Sequence, residues 1–361
     1  MSDVNRMYEL EYPSPEVTTD SSDGPTLIVA LQGYADAGHA IDGAATHIKA
    51  ALESHPVVSF HNDELIDYRS RRPAVTLQDD HLDGFSDLSL DLRVLRDNKG
   101  KSFLLLSGPE PDFRWEAFTT AVADLADKYG VAQTLCLYAS PMQVPHTRPM
   151  VVLAHGNSPE LVDDLYTWDA RVTVPGAASL YIERELHKRG HKVGGYTAQV
   201  PHYLAQSPYP KATYQLLTAV SEVADLDFPL RSLEQDIKRA DEQLSEHTSG
   251  SHEIAQVVQA FEKQYDAELE RYRSEHPDAR LPGEAKVPSS EEIGEEFERF
   301  LASIDHGEAG DAAEDAPKSN GALPAGTQDS DVEESDEAGD AAEDSAGPQD
   351  SSGQDDEDEQ R

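Results

Sequence analysis

The sequence has little of several things. Among 361 residues there is one cysteine, aromatics make up 7%, and 29 basic side chains face 70 acidic ones. One thiol cannot close an intramolecular disulfide, and zinc clusters built on several cysteines are excluded. A formal charge of −41 repels phosphate backbones, which argues against a basic nucleic-acid surface. It also disfavours anionic membrane surfaces. No apolar run approaches the ~20 residues that span a bilayer. Residues 1–17 lack the charged-then-apolar pattern of a secretory leader. The expectation is a cytoplasmic protein in a reducing compartment, with neither nucleic acid nor membrane as a partner.

The charge is uneven. Residues 306–361 carry 19 acidic and two basic side chains, and residues 1–305 keep a net −24. Leu323 and Val332 are the only aliphatics larger than alanine in that tail. Such a segment cannot bury enough surface to offset its ordering entropy, so disorder is expected. The octapeptide Glu308-Ala-Gly-Asp-Ala-Ala-Glu-Asp315 returns at 337–344. It reads either as a solubilising brush or as an acidic docking tail.

Up to about Leu230, apolar runs of strand length alternate with helical periodicity. Leu27-Ile-Val-Ala-Leu31 and Phe103-Leu-Leu-Leu106 are continuous, as strands buried on both faces require. Further strands are expected at 134–138, 150–154 and 193–200. Helices are expected after Gly38, around Phe118 to Tyr129, at 176–189 and at 209–224. Asp87 to Val94 alternates and is expected as a peripheral strand or hairpin. This grammar predicts a three-layer α/β/α domain with a mainly parallel sheet over residues 24–229, preceded by an extension at 1–23. After Leu230 only helical stripes follow. Ile254, Val257, Val258, Phe261, Tyr265, Leu269 and Tyr272 form the strongest. Ser289-Ser-Glu-Glu292 reads as a capping box opening a third helix. Residues 230–305 are therefore expected as a helical appendage, packed on the domain or used for association.

The chemistry is sparse. The loop Gly33-Tyr-Ala-Asp-Ala-Gly38 occupies the place of a phosphate loop but has neither its Lys-Ser/Thr nor the dinucleotide glycine spacing. Asp36 reads as a helix cap or as a catalytic acid. Gln-Val-Pro-His occurs at 143–146 and at 199–202. Proline ends a ladder, which leaves His146 and His202 near a sheet edge where α/β folds bind ligands. With Asp36 they form a candidate acid–base cluster, or each builds a local turn. Arg148 is a candidate anion holder. Gly33, Asp36 and Gly38 are candidate ligand-loop positions. No nucleophile elbow or metal helix occurs, and no cofactor or metal is expected. Arg69-Ser-Arg71-Arg72 is the densest positive patch.

Five segments, in order, carry a resemblance. They are 33–38; Asp67-Tyr-Arg-Ser-Arg-Arg-Pro73; Gly108-Pro-Glu-Pro111 with Trp115; Val144-Pro-His-Thr-Arg-Pro149; and Val200-Pro-His-Tyr-Leu204 with Pro210-Lys-Ala212. With them the chain resembles the proteasome assembly chaperone 2 family, in its actinobacterial branch. The resemblance implies a fold similar to nucleoside phosphorylases and related hydrolases. Relatives in eukaryotes and archaea bind proteasome core-particle subunits, some through a C-terminal hydrophobic-Tyr-x motif. This sequence ends Asp358-Glu-Gln-Arg361, so that binding mode is not implied here. The expected function is a non-catalytic assembly chaperone or scaffold with protein partners, proteasome components among them, working as a homo-oligomer. The alternative is a hydrolase- or phosphorylase-like enzyme, or a small-ligand binder, at the sheet edge.

Overall fold

Uninterrupted apolar runs are stable as strands only where both faces are covered, and the architecture supplies that cover. A computed structural model describes residues 7–12, 17, 24–86, 88–163, 165–167, 171–277 and 279–284. The elements run β1 (Tyr8–Leu10), β2 (Thr26–Gln32), α1 (Ala40–Ala51), β3 (Ser54–Phe60), α2 (Asn62–Leu65), β4 (Val75–Gln78), β5 (His81–Phe85), β6 (Asp91–Arg96), β7 (Ser102–Pro109), α3 (Trp115–Lys128) and β8 (Gln133–Met142). They continue with β9 (Val152–Gly156), β10 (Tyr166–Thr167), α4 (Ala178–Lys188), β11 (Lys192–Pro201), α5 (Pro210–Ala224), α6 (Arg231–Ser249) and α7 (His252–Glu275). The acidic tail and the third appended helix lie outside the described residues.

Nine strands form one mixed sheet in the order β1-β3-β6-β7-β2-β8-β11-β9-β10. β7, β2, β8 and β11 are mutually parallel at its centre. The joins β1–β3, β3–β6, β6–β7 and β11–β9 are antiparallel. The segment expected as a peripheral strand supplies β6, which is internal, between β3 and β7. Its alternation fits an antiparallel strand, and that pattern does not distinguish an edge strand from an inner one.

Alternate side chains of each central strand enter opposite cores. Ile28, Ala30, Leu105, Leu135 and Leu137 pack with Ile41, Ile48, Leu216 and Val220 of α1 and α5. Leu27, Val29, Leu104, Leu106 and Cys136 pack with Phe118, Val122, Ile182 and Leu186 of α3 and α4. The buried residues of α7, Val258, Tyr265 and Tyr272, recur every seven positions, and Tyr265 meets Val151 and Leu153. No helix among the described residues is long and apolar enough to cross a membrane.

β4 and β5 form a separate two-stranded hairpin. Val75 pairs with Phe85 and Leu77 with Leu82. All four side chains are open, at 46%, 71%, 72% and 58% exposure respectively. Directly paired residues share a face, so the hairpin presents an uncovered apolar face.

Candidate functional site

The loops that leave the C-terminal ends of the parallel strands gather the residues singled out by sequence. Asp36 follows β2. Its Oδ1 accepts from the Ile41 N–H at 2.7 Å and its Oδ2 from the Asp42 N–H at 3.4 Å, so the carboxylate is engaged with the first turn of α1. Burial pushes its pKa up, and the two backbone donors partly offset that shift. Gly38 sits at φ +68° with a hypothetical Cβ only 3.0 Å from Tyr209. Its N–H donates to Ala205 O and its carbonyl accepts from the Tyr209 N–H, both at 2.8 Å. A side chain here would meet both a disfavoured backbone and a wall. Gly33 gives way to Glu110, whose Oε2 would lie 2.4 Å from an added Cβ.

Glu110 is a site residue that chemical reasoning from sequence missed. It is buried, and its Oε1 accepts from the Ala178 N–H at 2.6 Å, which caps α4. Its carbonyl accepts from Arg71, and Arg71 also pairs with Asp112 at 3.3 Å. The signal in the sequence was an acid between two prolines, after a strand and ahead of a helix. Arg69 and Arg72 are exposed.

The Val144–Pro149 loop, past the end of β8, holds the denser arrangement. His146 is buried. Its Nδ1 lies 2.7 Å from Tyr203 Oη, and its own backbone N–H donates to the same oxygen at 3.0 Å. Burial lowers the His146 pKa, and nearby Lys211 adds to that. Lys211 Nζ donates to the carbonyls of His146 at 3.0 Å and Arg148 at 3.2 Å.

Arg148 is fully engaged with α7. Its Nε and Nη2 donate to the two carboxylate oxygens of Asp266 at 2.8 and 2.9 Å, and Nη1 donates to Glu262 at 3.1 Å. The hydrogen bond from Arg148 holds the Asp266 carboxyl below its ordinary pKa. Thr147 Oγ1 donates to Glu262 at 2.5 Å, and Tyr265 Oη donates to Pro149 O at 2.8 Å. His202, exposed just past β11, packs edge-on against Tyr203 and against Phe261 of α7, with ring centroids 5.5 and 5.4 Å apart.

His146, Arg148 and His202 thus meet in one cluster with Tyr203 and α7. The loop of Asp36 joins that neighbourhood through the backbone bonds of Gly38, while its carboxylate faces α1. Chemically the cluster is a clamp: the Arg148 fork, the Thr147 and Tyr265 hydroxyls and an aromatic contact hold α7 against the loop after β8, and the Tyr203 hydroxyl ties that loop to the segment after β11. Among the described residues, no group of three or more His, Cys, Asp or Glu side chains is placed to hold a metal ion.

A mixed sheet covered by helices on both faces, with α7 held against the loop that follows β8, defines an α/β/α protein. The chain belongs to the PAC2 family, whose model matches residues 30–248. It is similar to a solved Corynebacterium glutamicum protein of unknown function at 56% identity, covering 74% of this chain and 100% of that one, with a TM-score of 0.72. A Mycobacterium tuberculosis protein of unknown function matches at 47% identity over 73% of this chain and 92% of that one, with a TM-score of 0.71. A Mycobacterium tuberculosis proteasome-assembly chaperone homologue matches at 26% identity, over 64% and 99%, with a TM-score of 0.59. No curated protein matches the chain.

Proposed function

We propose that this chain acts through protein–protein contacts in the cytoplasm, as an assembly chaperone or scaffold that associates with itself and with proteasome components. The observation that carries this reading is the β4–β5 hairpin. A lone two-stranded hairpin is marginal in water, and this one leaves Val75, Leu77, Leu82 and Phe85 uncovered on one face. Contiguous exposed apolar surface of that kind marks an interaction site, and further copies of this chain are its proposed occupants. The family and the chaperone homologue among its relatives support the proteasome component of the reading. The domain plan that goes with it is an N-terminal extension at 1–23, an α/β/α body at 24–229, a helical appendage at 230–305 and a solubilising acidic tail at 306–361.

An enzyme at the same strand ends is the weaker reading. It needs Arg148 freed from Asp266 and Glu262, and Nδ1 of His146 freed from Tyr203, before either could meet a substrate.

The test is light scattering coupled to size exclusion, followed by mixing with purified proteasome core-particle subunits. The full chain should run above its monomer mass of 39.5 kDa and co-elute with a core subunit. The double variant Leu77→Asp/Phe85→Asp should fall to the monomer mass with an unchanged circular dichroism spectrum. A wild-type monomer that retains no core subunit sinks the proposal.

A further inference from the structure

Residues 171–177 lead into α4 without joining a helix or a strand. Arg171 to Gly176 are exposed, and no backbone hydrogen bond ties them to the rest of the described structure. Val172 and Val174 stand 51% and 55% open, so their own chain leaves them uncovered. The segment ends against a ring pair. A Cβ added to Gly176 would lie 3.6 Å from Tyr181 and 3.8 Å from Trp115, whose ring centroids are 5.2 Å apart. Arg184 of α4 is exposed, and its guanidinium lies 4.5 Å from the Tyr181 centroid. The two open valines are thus flanked by Arg171 along the chain and by Arg184 at the Tyr181 end. The α4 carboxylates nearest Arg184 in sequence are already engaged, Glu183 with Tyr138 and His155, and Glu185 with Arg189.

We infer that this segment on one copy of the chain receives the β4–β5 hairpin of another. The inference rests on the self-association proposed above and supplies its second surface. The two surfaces complement each other in apolar character and in charge. The hairpin presents Val75, Leu77, Leu82 and Phe85 on one face. Val172 and Val174 meet that face with apolar area, whose burial is favourable in proportion to its extent. Residues 75–85 hold Asp79, Asp80 and Asp83 and neither lysine nor arginine. The hairpin is therefore repelled by most of a body of net −24 and drawn to Arg171 and Arg184. Complementarity of this kind selects which surface is approached and fixes its register. The acidic tail carries the right charge too, but with Leu323 and Val332 as its only larger aliphatics it has no face to set on the valines. Both surfaces are open within one copy, so the contact forms between copies. Donor and acceptor are different surfaces, which makes the contact heterologous, and a closed assembly repeats it once per copy.

Two variants of the full chain test this by light scattering coupled to size exclusion. Val172→Asp/Val174→Asp changes exposed residues outside every helix and strand. Circular dichroism and melting temperature should therefore hold while the mass falls to the monomer value of 39.5 kDa. The hairpin variant Leu77→Asp/Phe85→Asp should also run as a monomer. Mixed in equal amounts, the two variants should yield a species of twice the monomer mass, because one keeps an intact hairpin and the other an intact segment. Two results overturn the inference: a Val172→Asp/Val174→Asp chain that keeps the wild-type mass, or a mixture that stays monomeric at concentrations where the wild type is fully assembled. The first result, with the hairpin variant monomeric, leaves association through the hairpin standing and moves its receiving surface elsewhere. A wild-type monomer overturns this inference together with the self-association on which it rests.

Discussion

Tyr203 has one hydroxyl that serves two groups on the neighbouring loop, the backbone N–H of His146 and its ring nitrogen. Tyr203→Phe removes the shared partner of both and leaves the backbone N–H and the ring nitrogen of the buried His146 unmatched. Such a loss costs about 1–3 kcal/mol, which urea unfolding at pH 7.5 should show as a lower midpoint with an unchanged slope. The same imidazole gives the fold a pH dependence. Its folded pKa is depressed, so the unfolded chain binds the extra proton first. Its contribution is complete above the ordinary histidine value near 6.5 and declines as pH falls through that value toward the folded one. At this scale the sequence was only partly informative. It placed His146, His202 and Arg148 near one edge through a repeated tetrapeptide and a strand-ending proline. It could not show that Arg148 faces two carboxylates more than a hundred positions away. His155 is a similar case. Its ring lies over Gly195 and reaches Glu183 at 2.9 Å, a contact made possible by a missing side chain on another strand.

At the scale of elements, legibility followed periodicity. β2 and β7 announce themselves because a strand covered on both faces needs an unbroken apolar run, and Leu135 to Ala139 of β8 follows the same pattern save for the Tyr138 hydroxyl. α7 shows in its stripe, although its seat does not. Pairing partners are set by tertiary packing, so β6 could be read as a strand but not as an inner one. The clamp on α7 predicts its own failure. Arg148→Ala breaks a bidentate charge-assisted pair and a third hydrogen bond. Hydrogen exchange should then accelerate several-fold across residues 258–272 while the central strands keep their protection. Uniform acceleration through β2 and β8 would show instead that α7 and the sheet open as one unit.

For the whole molecule, the charge is the feature that sequence alone conveyed best. A body of net −24 tolerates few close encounters with acidic partners, so exposed cations mark the approaches that remain. Arg69 and Arg72 stand beside the root of the apolar hairpin, where Arg71 is already tied to Glu110 and Asp112. The hairpin face itself was invisible from composition. Four apolar residues in a segment that also holds Asp79, Asp80 and Asp83 look like an ordinary mixed strand until the pairing sets them side by side.

The lone cysteine gives the chain a built-in reporter. Cys136 lies at the centre of β8, fully buried, between β2 and β11. Burial also holds its thiol well above its ordinary pKa, so the folded form offers little thiolate to a reagent. Covalent labelling must then wait for the middle of the sheet to part. The labelling rate of the unmodified protein should match its rate or equilibrium of global opening, and should not respond when only α7 is loosened. One sulfur atom, read by mass spectrometry in a crude mixture, would time the opening of the central ladder without any engineered probe.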